Sequence, residues 1–154
     1  MNSNKFFEGD KVQVIIKTSE DVAMTQTVMA EIKKLTRDNF AIVEFLEGIN
    51  KNISKVVSVN NLKALEFFNY CPCTDWYPYE LIERKSKTVA VIRRLEYRAL
   101  PDSDYYGDQK YSYYHNEDAD TLVVRKCRGS FVWKCGGAKF YPSDAPYAYR
   151  DPNF

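Results

Sequence analysis

Alternation of apolar and polar residues, the period of a half-buried strand, recurs along the first half of the chain. It is clearest at Val12, Val14 and Ile16, which alternate with lysine and glutamine. Similar segments at 27–35, 40–46 and 53–59 are separated by turns rich in glycine, aspartate and asparagine. The segment 29–35 also fits a helical turn, but the Thr36-Arg37-Asp38-Asn39 turn that follows favours a hairpin. The pattern predicts mainly β structure with little helix.

The second half is predicted to continue as short antiparallel strands joined by turns. The β-rich segments lie at 79–84, 88–97, 109–115, 121–127 and 131–135. Gly136 and Gly137 then break the pattern. The aromatic and proline residues from Lys139 to Phe154 predict an extended C-terminal tail laid over the sheet.

The opening strand carries Gly9-Asp10-Lys11-Val12, and four or five short strands follow within the first half. This motif and the spacing of the strands resemble SH3-like barrels of the Tudor and KOW type. The resemblance implies an SH3-like small barrel over residues 1–66. We expect a second, tyrosine-rich antiparallel β domain at 67–154, whose first residues, 67–74, link the two halves. Fold resemblance alone does not define a function.

Charge excludes two classes of protein. The 22 basic and 21 acidic residues give a net charge of +1, and they are balanced in both halves. This composition fits neither a strongly basic nucleic-acid module nor an acidic DNA mimic. No apolar run approaches the roughly 18 residues of a membrane span, and residues 1–5 lack a signal-peptide core. We therefore expect a cytoplasmic protein with reduced cysteines and no membrane partner.

The residue types suited to metals or catalysis are sparse. The four cysteines are Cys71, Cys73, Cys127 and Cys135. Their spacings are poor for zinc, although the second pair would approach if it faced across a hairpin. His115 is the single histidine, and acidic residues 117, 118 and 120 follow it. We expect no catalytic residue, no metal and no cofactor. A small hydrolase centred on His115 is the minor alternative.

Tyrosine is distributed unevenly, because all 12 tyrosines lie at or after Tyr70. Five of them lie between 105 and 114, and alternate residues of a strand face opposite sides, so these five cannot all be core. A binding surface and core packing both remain open for this cluster. The candidate binding residues of the second half are Tyr105, Tyr106, Tyr114, Arg93, Arg94, Arg98 and Lys110. Those of the first half are the basic residues Lys33, Lys34 and Arg37.

The order of several short motifs in residues 70–154 resembles a family of small, uncharacterised bacteriophage and prophage proteins. The motifs begin with Asp75, Pro78, Tyr79 and Glu80, followed by a Lys-Thr-Val-x-Val-x-Arg strand at 87–93. They continue with Gln109-Lys110-Tyr111, an acidic turn, Arg125-Lys126, Trp133 and the ending Tyr149-Arg150-Asp151-Pro152-Asn153-Phe154. The family brings no known activity. The cysteines at 71 and 73 and the N-terminal half depart from its pattern.

Two functions of different classes follow from these observations. The first is a non-catalytic, counter-defence inhibitor that binds a host bacterial protein, such as a CRISPR effector, or sequesters a nucleotide signal. Its binding would use the tyrosine and arginine residues of the second half and the loops of the barrel. The alternative is a nucleic-acid-binding accessory module, with Lys33, Lys34 and Arg37 lining its loops. The two differ in salt dependence, because contacts to phosphate weaken steeply as salt increases.

Overall fold

The computed structural model describes residues 6–17 and 25–153. Strands make up 54% of the structure, and no α-helix occurs in the described residues. The predicted mainly β fold class is therefore confirmed. Within the same residues, no helix is long and apolar enough to cross a bilayer. The chain divides into two compact units, Met1–Leu65 and Glu66–Phe154.

The first unit is one antiparallel sheet in the order β4-β3-β2-β1-β5. Its elements are β1 (Lys11–Lys17), β2 (Thr25–Leu35), β3 (Phe40–Phe45), β4 (Ser54–Ser58), a 3₁₀ turn (Val59–Asn61) and β5 (Leu62–Ala64). The last strand, β5, returns to pair with β1. Its core contains Val12, Val14, Ile32, Val43 and Phe45, each almost fully buried.

The turn after β2 explains why residues 29–35 form a strand and not a helical turn. Asn39 has a positive φ of 63°, a conformation that asparagine tolerates better than most residues. The Thr36 backbone amide donates to the Phe40 carbonyl at 2.9 Å. The Phe40 amide donates to the Thr36 hydroxyl at 3.2 Å. These bonds reverse the chain, so β3 pairs with β2 in a hairpin.

The second unit contains a closed barrel of six strands and a separate two-stranded ribbon. Its strands are β6 (Phe67–Tyr70), β7 (Tyr77–Ser86), β8 (Val89–Arg94), β9 (Glu96–Ala99), β10 (Tyr111–Tyr114), β11 (Thr121–Lys126), β12 (Trp133–Cys135) and β13 (Ala138–Ser143). The barrel order is β11-β12-β13-β6-β7-β8, and the ribbon consists of β9 and β10. The barrel core packs Phe68 edge-on against Trp133 at 5.7 Å, with Phe140 stacked on Tyr70 at 5.1 Å.

Three sequence predictions for this unit are corrected by the structure. The expected linker at 67–74 begins with β6, and the expected tail at 139 begins inside β13. The single strand expected at 88–97 is two strands, because the chain turns inward at Leu95. Leu95 is buried, and its amide donates to the Pro78 carbonyl at 3.0 Å. After this break, the chain leaves the barrel to form the ribbon.

Residues 144–153 form the predicted extended tail. Side chains elsewhere in the second unit form hydrogen bonds with its backbone. Asn69 on β6 is buried. Its amide nitrogen donates to the Ala145 carbonyl at 3.3 Å, and its oxygen accepts from the Tyr147 amide at 3.0 Å. The Tyr113 hydroxyl accepts from the Ala148 amide at 2.9 Å. The tail is thus attached to both the barrel and the ribbon.

Replacing Asn69 with leucine should destabilise the protein. The change keeps the branching at Cγ but leaves the Ala145 carbonyl and the Tyr147 amide without their partner, which costs about 1–3 kcal/mol. Chemical denaturation measures this loss. Asn153→Ala, at an exposed position of the tail, is the control and should change little. Equal stability of the two variants would show that Asn69 does not hold the tail.

Candidate binding surface

The ribbon of β9 and β10 has two different faces. Its register pairs Tyr97 with Tyr113 and Arg98 with Ser112. Because side chains alternate along a strand, Tyr97 and Tyr113 share the face that meets the tail through the Tyr113 hydroxyl. Arg98 and Ser112 share the opposite face with Tyr114. This second face carries the exposed aromatic side chain of the ribbon.

Tyr114 is 47% exposed, and its neighbours fix the position of its ring. The Arg98 guanidinium lies over the ring, 5.4 Å from its centroid. The Ser112 hydroxyl lies 2.9 Å from the Tyr114 hydroxyl. An arginine over an aromatic face is an attractive contact. Tyr114 and Arg98, both predicted as binding residues, are therefore adjacent on the outer face of the ribbon.

Tyr105 and Tyr106 project from the loop between β9 and β10. They are 44% and 81% exposed, and their rings meet edge to face at 5.1 Å. Asp104 orders this loop: its carboxylate accepts from the Tyr106 amide at 3.0 Å, and its carbonyl accepts from the Gly107 amide at 3.1 Å. The loop is closed by the Lys110 amide, which donates to the Ser103 hydroxyl at 2.9 Å. The two tyrosines are thus presented from a hydrogen-bonded loop.

Two of the predicted basic residues of the second unit are engaged in ion pairs. The Lys110 amine lies 2.9 Å from the Asp102 carboxylate and 3.7 Å from that of Asp108. The hydrogen bond to Asp102 raises the pKa of Lys110. Arg93 was also predicted as a binding residue, but its side chain is only 18% exposed and forms an ion pair with Glu80. Arg94 instead lies over the Tyr77 ring, 4.5 Å from the ring centroid.

Of the three basic binding residues predicted for the first unit, one is paired with carboxylates and the other two are exposed. The Lys33 amine lies 3.0 Å from the Glu31 carboxylate and 3.7 Å from Glu44, and the hydrogen bond to Glu31 raises its pKa. Lys34 and Arg37 are exposed at the end of β2 and in the turn that follows. The pairing of Lys33 leaves less positive charge here than the sequence suggests.

Sequence reasoning missed the carboxylate at the centre of the second unit. Glu80 is 7% exposed, and its Oε1 accepts from the Nε and a terminal nitrogen of Arg93 at 3.2 and 2.9 Å. Its Oε2 lies 2.5 Å from His115 Nδ1. His115 therefore pairs with Glu80 and not with the acidic turn that follows it in sequence. The β7–β8 turn lies at 87–88, and two register shifts between Leu81 and Ser86 bring Glu80 opposite Arg93, so counting along the sequence from the turn does not identify the pair.

The cysteines are not arranged as a metal site. All four are free thiols. The β11–β12 register pairs Lys126 with Trp133, so Cys127 and Cys135 are not opposite each other as a facing pair would require. Across residues 6–17 and 25–153, no cluster of three or more His, Cys, Asp or Glu residues could hold a metal ion.

Comparisons with known proteins return no relative: no protein-family model, no curated protein and no solved structure matches this chain. The resemblance to phage and prophage proteins and the SH3-like relationship therefore stay predictions.

Replacing Glu80 with glutamine should destabilise the second unit. The change keeps the shape but leaves the largely buried Arg93 guanidinium without its counter-charge, at a cost of about 2–3 kcal/mol. His115→Ala removes a side chain that is 75% exposed, and should stay within about 0.5 kcal/mol of wild type. Denaturant unfolding compares the two. Equal losses would show that His115, and not Arg93, is the important partner of Glu80.

Stability should fall at alkaline pH because burial raises the pKa of Tyr79 and of Tyr113. An unfolded tyrosine loses its proton near its ordinary pKa of about 10. Above that pH the unfolded chain binds fewer protons than the folded chain, so the free energy of unfolding decreases as pH rises. The difference in phenolate absorbance between wild type and Tyr113→Phe reports Tyr113 alone. Titration of that difference at the ordinary pKa would contradict the buried environment.

Proposed function

We propose that the protein is a non-catalytic binding protein whose second unit binds a partner protein through a tyrosine surface. We define the tyrosine surface as two exposed pairs, Tyr105 with Tyr106 in the β9–β10 loop and Tyr114 with Arg98 on the ribbon. The observation that carries the proposal is the 81% exposure of Tyr106 in a loop whose backbone is held by Asp104. The Tyr106 ring also meets the exposed Tyr105 ring at 5.1 Å, and contiguous exposed aromatic surface of this kind is characteristic of an interaction site.

The chemistry of the tyrosine surface suits a protein partner. Tyrosine buries a large area with few rotatable bonds, so it loses little conformational entropy on binding. Tyrosine and arginine are enriched among the residues that dominate the energy of interfaces. The loop backbone is hydrogen-bonded before any partner arrives, which reduces the ordering cost of association.

In keeping with the resemblance to phage and prophage proteins, we propose that the partner is a bacterial host protein. The protein would act as a counter-defence inhibitor that occludes a component such as a CRISPR effector. The pairing of Lys33 and Lys110 with carboxylates supports protein binding over nucleic-acid binding, because a neighbouring negative charge offsets part of the charge of each lysine. Glu80 bonds both Arg93 and His115. This arrangement supports a structural role for His115 and not the role of a catalytic residue in a hydrolase.

The proposal is tested by affinity capture from bacterial lysate, followed by binding measurements with the captured protein. The double variant Tyr106→Ala/Tyr114→Ala should weaken binding by about 2 kcal/mol or more, which is roughly 30-fold. Tyr141→Ala removes an exposed tyrosine on β13, outside the tyrosine surface, and is the control. Melting temperatures establish that all variants are folded.

Two results would contradict the proposal. If the double variant binds the captured protein as tightly as wild type, the tyrosine surface is not the interface. If nucleic acid is captured instead, and its binding falls steeply with salt and is weakened by Lys34→Ala and Arg37→Ala, the nucleic-acid module is the better account.

A further inference from the structure

A cleft of about 400 Å³ opens on the second unit, and none of the exposed tyrosines 105, 106 and 114 lines it. Its walls include Arg94, Glu96, Tyr97, Asn116 and Arg150. Pockets that bind small molecules typically measure about 300–1,000 Å³. The cleft is therefore large enough for a ligand of nucleotide size.

Two arginines line this cleft. Arg94 and Arg150 are both exposed. Neither forms an ion pair within the part of the chain that the structure describes. The five donors of a guanidinium match the oxygens of a phosphate group and bind them in pairs. Two such groups on one cleft favour a ligand that carries phosphate.

Other side chains hold both arginines in place. One oxygen of Asp75 accepts from the Asp151 amide at 2.7 Å, and the other accepts from the Tyr77 hydroxyl at 3.3 Å, beneath Arg94. Gln109 bonds both sides of the Arg150 backbone: its oxygen accepts from the Arg150 amide at 3.0 Å, and its nitrogen donates to the Arg150 carbonyl at 2.6 Å. Asp75 and Gln109 are thus positioning residues for the cleft.

The cleft also contains groups that suit a base. Tyr97 offers an aromatic side chain, and the Asn116 amide nitrogen donates to Glu96 Oε1 at 3.1 Å. The second oxygen of Glu96 remains able to accept from an amino group. Glu96 and the exposed carboxylates at 117, 118 and 120 oppose a bare anion. This mixture of charges favours a ligand that combines phosphate with N–H donors.

We propose that this cleft binds a nucleotide whose base carries an exocyclic amino group. Its phosphates contact Arg94 and Arg150, its base packs on Tyr97, and its amino group donates to Glu96. None of the side chains of the tyrosine surface lines the cleft. The two proposals therefore fail separately, since Tyr106→Ala/Tyr114→Ala should leave nucleotide binding unchanged.

Calorimetric titration of the full chain with ADP, UDP and pyrophosphate tests the proposal. ADP should bind, and UDP and pyrophosphate should each bind at least about tenfold more weakly, the effect of one lost interaction of about 1.4 kcal/mol. Arg94→Gln and Arg150→Gln should each weaken ADP at least about tenfold. Arg128→Gln, at an exposed turn outside the cleft, should not change ADP binding.

The Gln109→Leu variant tests whether Gln109 acts by positioning Arg150 and not by contacting the nucleotide itself. It should weaken ADP binding in the wild-type background and have little further effect in Arg150→Gln. No heat with ADP at millimolar concentration, or unchanged affinity in both arginine variants, would overturn the proposal. If pyrophosphate binds as tightly as ADP does, the cleft is an anion site without base recognition, which contradicts the proposed nucleotide site.

Discussion

The pairing of β6 with β13 closes the barrel of the second unit, and the candidate surfaces depend on it. The register places Phe140 opposite Tyr70 and Pro142 opposite Phe68, joining segments that are far apart in sequence. Phe68 and Phe140 then contribute to the same core. β6 also supplies Asn69, which holds the tail where it leaves β13. Barrel closure therefore determines where the tail and its Arg150 lie.

The elements predicted well from sequence are those with strong local signals. Alternation identified β1 and β3, β propensity identified β8 and β11, and the turn before Phe40 identified the β2–β3 hairpin. The elements that were missed lack such signals. β6 is four residues with two adjacent buried side chains, and β13 contains Pro142, which removes a backbone donor and demotes a predicted strand. Only long-range pairing makes these segments strands.

The candidate site residues differ in the same way, because some carry a local sequence signal and others depend on long-range contacts. The outward position of Tyr114 follows from strand alternation within one short segment, so the sequence was sufficient to predict it. Arg93 looked like a binding residue because its partner, Glu80, lies on another strand. Arg150 was not proposed as a binding residue, because its place in the cleft depends on Asp75 and Gln109, which are distant in sequence. Side-chain contacts to backbone across such distances have no periodic signature.

Native-state hydrogen exchange tests most directly whether the tyrosine loop and the tail form an ordered binding surface before any ligand arrives. The amides of Tyr106, Lys110, Ala148 and Arg150 donate to side-chain oxygens of the second unit. They should exchange more slowly than the same amides in an unstructured peptide, because exchange requires these bonds to open. Exchange of all four at unstructured rates would contradict a preformed surface.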